Sequence, residues 1–346
     1  MPLLGVERVT ATARVKGSGY DPFKKSTNIN ADLHLADITY NHYRYTDIDI
    51  NAGIADGNAR MTATSGNRDA AFELRADGNL ATTPYDWRLM ADVSNLALKA
   101  LGLTDSVMHG STTIDGNITI DPAKRTPDIA ADITVKDLDW LMGSGKLSTS
   151  DMKMHFMADD SLTQFTLRDH DLDMALTSPM PLDSIMAHTA MTSAAIDSVI
   201  SSQDINVTML QRAMPRFTLD LSAGQNNMVS GYLSSRSMGF TGLDMQASND
   251  SLIRLKARIR NLNSGATVID TVTAAINQRS DTLAYRFHIG NRPGTLDQWA
   301  QVTARGRASG NRASILFDQQ NIDGRTGYRL GFIARWMPDG IKVRVV

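Results

Sequence analysis

Between Thr27 and Tyr40 the chain reads TNINADLHLADITY. This sets Ile29, Ala31, Leu33 and Leu35 on one side of an extended backbone and Asn28, Asn30, Asp32 and His34 on the other. Successive side chains of a strand point to opposite faces, so the alternation specifies a strand with one apolar and one wet face. The same rhythm returns about twenty times, for example as Ile48, Ile50, Ala52 and Ile54, as Ile129, Ala131, Ile133 and Val135, and as Ile253, Leu255, Ala257 and Ile259. Between the runs stand clusters such as ADGNA, TSGNRD, NQRSD and ASGNR. Their Gly, Asn and Asp residues supply the backbone angles of tight hairpins. Period and punctuation together specify an antiparallel meander.

Helical spacing is scarce. Asn95–Ser106, Asp137–Gly145 and Gln203–Pro215 are expected to form short helices, the last stopped by Pro215, and Met228–Met238 a further one. These pieces divide the strands into three blocks, 1–94, 95–202 and 203–346, the last opened by the helix near 203–214. About twenty hydrogen-bonded strands at roughly 4.8 Å each would make a ribbon about 95 Å long. A sheet of that size curls or splits. The expected fold is therefore all-β: an elongated antiparallel β-meander curled into an open groove, a β-taco, with a few short helices.

Composition decides what such a groove is suited to. Thirty-five Lys and Arg stand against 37 Asp and Glu, a formal net charge of −2, which argues against a broad basic surface for nucleic acid. No cysteine is present, so disulfides and thiolate metal sites are excluded. Aromatics are only 6% while Met reaches 18 residues, a thin and adaptable apolar layer rather than a large globular core. No run approaches the roughly 18 apolar residues of a membrane-spanning helix. The opening MPLLGVERVTATARVKG carries charges too early for a signal peptide. The chain accordingly reads either as cytosolic or as a piece of a longer secreted or membrane-anchored protein.

Three stretches carry a family resemblance: GSGYDPF before a strand, the hairpin YRYTDIDINAGIADGNARM, and LQRAMPRFTLDLSAG. In repeat style they resemble the TamB family, the inner-membrane component of the translocation and assembly module, and especially its Bacteroidota versions. That family is similar to the AsmA-like proteins. The resemblance implies a β-taco in the periplasm of the cell envelope, inner-membrane anchored in the full-length protein. It would conduct phospholipids between inner and outer membranes and support outer-membrane biogenesis and protein secretion. It implies as partners phospholipid acyl chains, an Omp85-type outer-membrane barrel met through a C-terminal region not in this sequence, and the inner membrane through an N-terminal anchor also not in it. Lacking that anchor and running to GIKVRVV in mid-strand pattern, the chain resembles an internal fragment.

Motifs for chemistry are weak. GSGKLS (Gly143–Ser148) lacks the first Gly and the hydroxyl after Lys that a phosphate loop needs, and reads as a turn after a short helix. Asp169, Asp171 and Asp173 alternate as three carboxylates, but the calcium-loop positions six and twelve are Met174 and Met180. A solvated strand face opposite Leu172, Met174 and Leu176 is the better account. The seven His residues form no HExxH pair, and no GxSxG frames a serine. The reading is non-enzymatic, with no catalytic residues, no metal, no cofactor and no nucleic acid.

The apolar stripe itself is the candidate site. Its expected lipid-lining residues are Ile29, Leu33, Leu35, Ile48, Ile50, Phe72, Leu74, Trp87, Leu89, Ile118, Ile133, Met154, Phe156, Phe217, Leu219, Leu243, Leu255, Phe287, Phe317, Leu330 and Phe332. Acyl chains suit such a surface because apolar contact is non-directional and tolerates sliding. Two other readings fit the pattern: a structural scaffold or chaperone-like partner for outer-membrane β-barrel assembly, working through strand edges, and a surface adhesin with β-repeats.

Overall fold

The computed structural model describes residues 6–40, 43–99, 108–123, 126–143, 145–265, 267–291, 301–321, 324–337 and 340–346. The first strands are β1 (Val6–Ser18), β2 (Asn28–Tyr40), β3 (Tyr43–Ala55), β4 (Asn58–Asn67), β5 (Ala70–Asn79), β6 (Tyr85–Ala97), β7 (Met108–Asp121), β8 (Asp128–Met142), β9 (Gly145–Ala158), β10 (Thr163–Asp169) and β11 (Leu172–Ser178). Helices α1 (Leu182–Ser202) and α2 (Val207–Ala213) follow, then β12 (Thr218–Ala223), α3 (Met228–Ser235), β13 (Met238–Gly239) and β14 (Gly242–Asn249). The chain continues through β15 (Ile253–Ser264), β16 (Thr267–Arg279), β17 (Thr282–Gly290), β18 (Gln301–Ser309), β19 (Arg312–Gln320), β20 (Thr326–Met337) and β21 (Gly340–Val345). The architecture is the expected all-β antiparallel meander, left open rather than closed into a barrel.

The chain divides into two compact units. The first is Met1–Asp159 with Leu167–His170 and Gly231–Arg236; the second is Asp160–Thr166, Asp171–Ser230 and Ser237–Val346. In the first unit β1 to β9 pair in sequence order, each antiparallel to the next. In the second the order is β11, β12, β14, then β15 to β21, with the two-residue β13 on the end of β15.

The first two expected helices show no helix among their described residues. Asn95–Ala97 ends β6, while residues 100–106 of that expected helix lie outside the described residues. Asp137–Met142 belongs to β8, where Trp140 pairs with Leu147 and Leu141 with Lys146. The alternation breaks there because Asp137 sits at φ 50°, in the left-handed region that Asp and Asn tolerate best. Asp47 in β3 and Asn261 in β15 do the same, and residue pairing is interrupted at all three points. In GSGKLS, Gly143 sits at φ 61° just after β8 and Gly145–Ser148 open β9, with Lys146 paired to Asp139 at 2.9 Å, so what precedes this motif is a strand and not a short helix.

The helix expected at Gln203–Pro215 is present as the shorter α2, capped by Asn206, whose side chain accepts from the Met209 N–H at 2.7 Å. The α3 helix occupies most of Met228–Met238. The 21-residue α1 has no counterpart among the expected elements, because its Ala, Ser, Thr and Met residues draw only a faint apolar stripe. Its start does carry a signal: Pro181 precedes the first turn and Asp183 lies within it, where an acid favours the helix N-terminus.

The segment 205–215 runs across the turns of three hairpins of the second unit. Asn249, at the β14–β15 turn, donates from its amide to the carbonyls of Gln211, Met214 and Pro215 at 3.0, 3.3 and 3.0 Å. Asp281, at the β16–β17 turn, accepts from the Thr208 N–H at 2.8 Å. Gly310, at the β18–β19 turn, exchanges two backbone bonds with Ile205. α1 joins this cap as Thr192 and His188 meet the Ala213 carbonyl, each at 3.1 Å. Asn249 is fully buried, so Asn249→Ala leaves carbonyls at the end of α2 without their donor. We expect it to cost about 2–3 kcal/mol in chemical denaturation; a change within about 0.5 kcal/mol would show that the cap is held by its backbone alone.

Asp37, buried on β2, holds two arginines from the flanking strands: Arg8 at 2.8 Å and Arg44 Nε at 2.6 Å. The Arg44 hydrogen bond first, then the Arg8 bond and both positive charges, keep the carboxylate below its ordinary pKa against the opposing effect of burial. A depressed carboxylate contributes stability above its unfolded pKa and loses it as pH falls through the folded one. Asp37→Asn should therefore be less stable than the parent at neutral pH, with the gap closing below about pH 4. A gap that stays constant down to pH 2 would place the effect in packing rather than charge.

Candidate functional site

Antiparallel register decides which side chains share a face, since residues directly opposite each other project to the same side. In the first unit one row runs Ala13, Leu33, Ile50, Ala63, Leu74, Ala91, Ile114, Val135, Met152 through nine successive strands. The next runs Val15, Ala31, Ala52, Met61, Ala76, Leu89, Gly116, Ile133, Met154, and the one beyond it Ile29, Ile54, Ala59, Gly78, Trp87, Ile118, Ala131, Phe156. On the other side Leu35, Ile48, Ser65, Phe72 and Val93 continue the same face. At about 4.8 Å per strand each nine-strand row covers roughly 38 Å.

Large and small side chains alternate along these rows. The buried hydrophobic residues of the first unit are mostly the small ones, including Ala59, Ala63, Ala76 and Ala131, each opposite at least one larger side chain across the ladder. Trp87 lies over Gly78, where an added Cβ would fall 2.5 Å from the indole ring. Trp87 thus fills the gap above a glycine.

The second unit repeats the arrangement. Met174, Leu221, Met245, Ala257, Ala274, Phe287, Ala304, Phe317 and Leu330 form one row. Leu176, Leu219, Ala247, Leu255, Ile276, Tyr285, Gly306, Ile315 and Phe332 form another, and Leu172, Ala223, Leu243, Ile259, Val272, Ile289 and Val302 a third. Phe287 and Leu330 keep 45% and 44% of their surface exposed, so this face is not sealed over them. The Tyr285 hydroxyl reaches over Gly306 to donate to the Ser314 carbonyl at 2.7 Å, and burial raises its pKa.

Every residue of the expected stripe except Phe217 therefore falls into these rows, those of each unit on a single face. Phe217 lies one position before β12 and outside the strand pairing. The expected set left out the small members, Ala63, Ala76, Ala91, Ala131, Ala257 and Ala304, which carry little hydrophobicity in sequence but complete each row. The opposite face of the first unit carries complementary charges: Arg60 with Asp77, Arg88 with Asp115, and Lys153 with Asp151, each at 3.4 Å, and His34 with Asp49 and His155 with Asp132, each at 2.7 Å.

The three alternating aspartates separate into different roles. Asp169 is buried, accepting from Thr149 at 2.5 Å and meeting His170 at 2.8 Å. Asp171 accepts from Asn227 at 2.7 Å and the Asn226 N–H at 2.9 Å; burial opposes its ionisation, and these bonds outweigh it to lower its pKa. Asp173 is exposed on β11 opposite in phase to Leu172, Met174 and Leu176, as expected for a solvated strand face. Among the described residues no group of three or more His, Asp or Glu converges as a metal site would require. Ser150, His170 and Asp169 have the connectivity of a nucleophile relay, but the Ser150–His170 separation is 3.4 Å and both residues lie open on the strand surface.

At the helical cap of the second unit, Met191, Asn206, Thr208, Met209, Arg212, Ala213 and Asp281 surround a hollow of about 500 Å³. Among the described residues no helix is long and apolar enough to cross a membrane. No family model matches the chain, and neither does any curated protein or solved structure.

Proposed function

We propose that the apolar rows are a surface for phospholipid acyl chains, and that the chain is part of a lipid-conducting groove of the TamB and AsmA-like kind, working in a periplasm between two membranes. One observation carries this reading: in the first unit the rows continue unbroken through nine strands, and among the described residues no helix runs along them as a core. The Gly231–Arg236 segment of this unit meets it at Met142 and Lys146, at the end of β8 and the start of β9. A carrier needs many nearly equivalent weak contacts, each worth about 25 cal/mol per Å² of apolar area covered, so that cargo slides without falling into one deep site. Rows of Ala, Leu, Ile and Met supply such contacts. The exposed Phe287 and Leu330 show apolar surface in the second unit still open to a partner.

The test is mass spectrometry of organic extracts from gently purified protein. Phospholipid at a near-stoichiometric or higher ratio is expected. A folded protein free of lipid would end this reading and favour a scaffold whose apolar faces are covered by protein.

A further inference from the structure

We propose that the polar face of β15–β18 docks onto an anionic membrane surface, gripping phospholipid headgroups with arginine side chains. Charge is divided very unevenly along the chain. Residues 253–346 hold fifteen Lys and Arg against six Asp and Glu, a net of +9; the residues before them hold twenty against thirty-one, a net of −11. Such asymmetry within one chain points to a polyanionic partner for the basic part.

Register gathers that charge into one place. Arg254, Lys256 and Arg258 alternate along β15 and are exposed, back to back with Leu255, Ala257 and Ile259 of the apolar rows. Lys256 is in register, through Ala275, with Arg286 of β17 and then Arg305 of β18. Arg254 is in register, through Asn277 and Ala284, with Arg307 of β18. Six cations thus occupy about 14 Å across three strand spacings by about 13 Å along β15.

Among the described residues, no acid neutralises these cations. Asp244, directly opposite Arg258, is bound to Arg260 at 2.8 Å, and Asp318 is taken by Arg329. Among the described residues none of the six has a carboxylate within ion-pair distance. Arg286 and Arg305 are direct cross-strand partners, a like-charge pairing that weakens a sheet unless an anion lies over it. The first unit does the opposite, setting its lysines and arginines beside acids.

Phosphate is the anion that best fits guanidinium forks repeated at strand spacing. Among the described residues, the side chains between the cations are Thr273, Ala275, Asn277, Ala284, His288 and Thr303, with no Phe, Tyr or Trp on which bases could stack. Among the described residues, no helix or ribbon projects from this face to enter a duplex groove. A broad array of separate headgroups requires neither feature. The surface works independently of the acyl-chain rows, because it lies on the other side of the same strands.

The full chain would be sedimented with phosphatidylcholine vesicles with and without phosphatidylglycerol, over a range of NaCl. We expect binding only where phosphatidylglycerol is present, weakening with salt. R286E/R305E should lower it by about tenfold or more, and R254Q/K256Q, which tests the same surface with smaller charge change should the first variant misfold, by severalfold. The proposal is overturned by equal binding to both vesicle types or by undiminished binding of both variants. It is equally overturned if inorganic phosphate or a duplex oligonucleotide binds while the vesicles do not. Lipid in organic extracts would be unaffected by these variants, so failure here leaves the acyl-chain reading standing, and the reverse.

Discussion

Leu33→Arg and Leu219→Arg should each strip co-purifying phospholipid from the protein by more than tenfold while leaving it folded. Leu33 stands in the row between Ala13 and Ile50, and Leu219 between Leu176 and Ala247, so each is surrounded on its face by apolar neighbours on adjacent strands. Neither is fully buried, which leaves room for a longer side chain without forcing the ladder apart. A guanidinium on a lipid-facing strand position costs on the order of 2–4 kcal/mol in contact with hydrocarbon. The cost falls almost wholly on the occupied state, since in the empty one the arginine is solvated. Circular dichroism matching the parent, with lipid lost in both variants, is the expected pair of results. Lipid retained in both would mean that cargo lies elsewhere or that these rows are closed by protein.

The second large effect is on stability. Gly306→Val should destabilise the protein by about 3 kcal/mol or more, measured as a shift of the denaturation midpoint. A Cβ at this position would fall 1.8 Å from the Ser314 carbonyl oxygen and 2.6 Å from the Tyr285 hydroxyl. The first contact is with backbone and cannot be relieved by a rotamer change; the second breaks the Tyr285–Ser314 hydrogen bond. Tyr285→Phe in the parent should lose only about 1 kcal/mol, the value of one hydrogen bond with packing kept. If Gly306→Val cost no more than Tyr285→Phe, the close approach of β18 and β19 at this point would have to be elastic.

Much of this was legible in advance because strand alternation is local. Leu33, Ile50, Leu74 and Ile133 announce their face through neighbours two positions away, and register then places them on one surface. What misled was equally local. DLDWLM, Asp137–Met142, lost its period-two pattern to the left-handed Asp137 and resembled a helix, although cross-strand pairing holds it in β8. The α1 helix was missed for the converse reason: it has hardly any apolar stripe to read, and it is anchored to α2 through bonds to the Ala213 carbonyl.

By itself the sequence determined the strands, their hairpins and the parity of each apolar face, since these depend on residues within a few positions of one another. Tertiary structure alone decided the register that turns short stripes into rows through nine strands. It decided which glycines lie beneath Trp87 and Tyr285, and how the 205–215 segment crosses three hairpin turns. It also decided that Arg286 stands opposite Arg305. Those outcomes rest on pairs far apart in the chain, such as Asn249 with Gln211 or Gly78 with Trp87. Only hydrogen-bond registry and side-chain volume, acting between strands, can select such pairs.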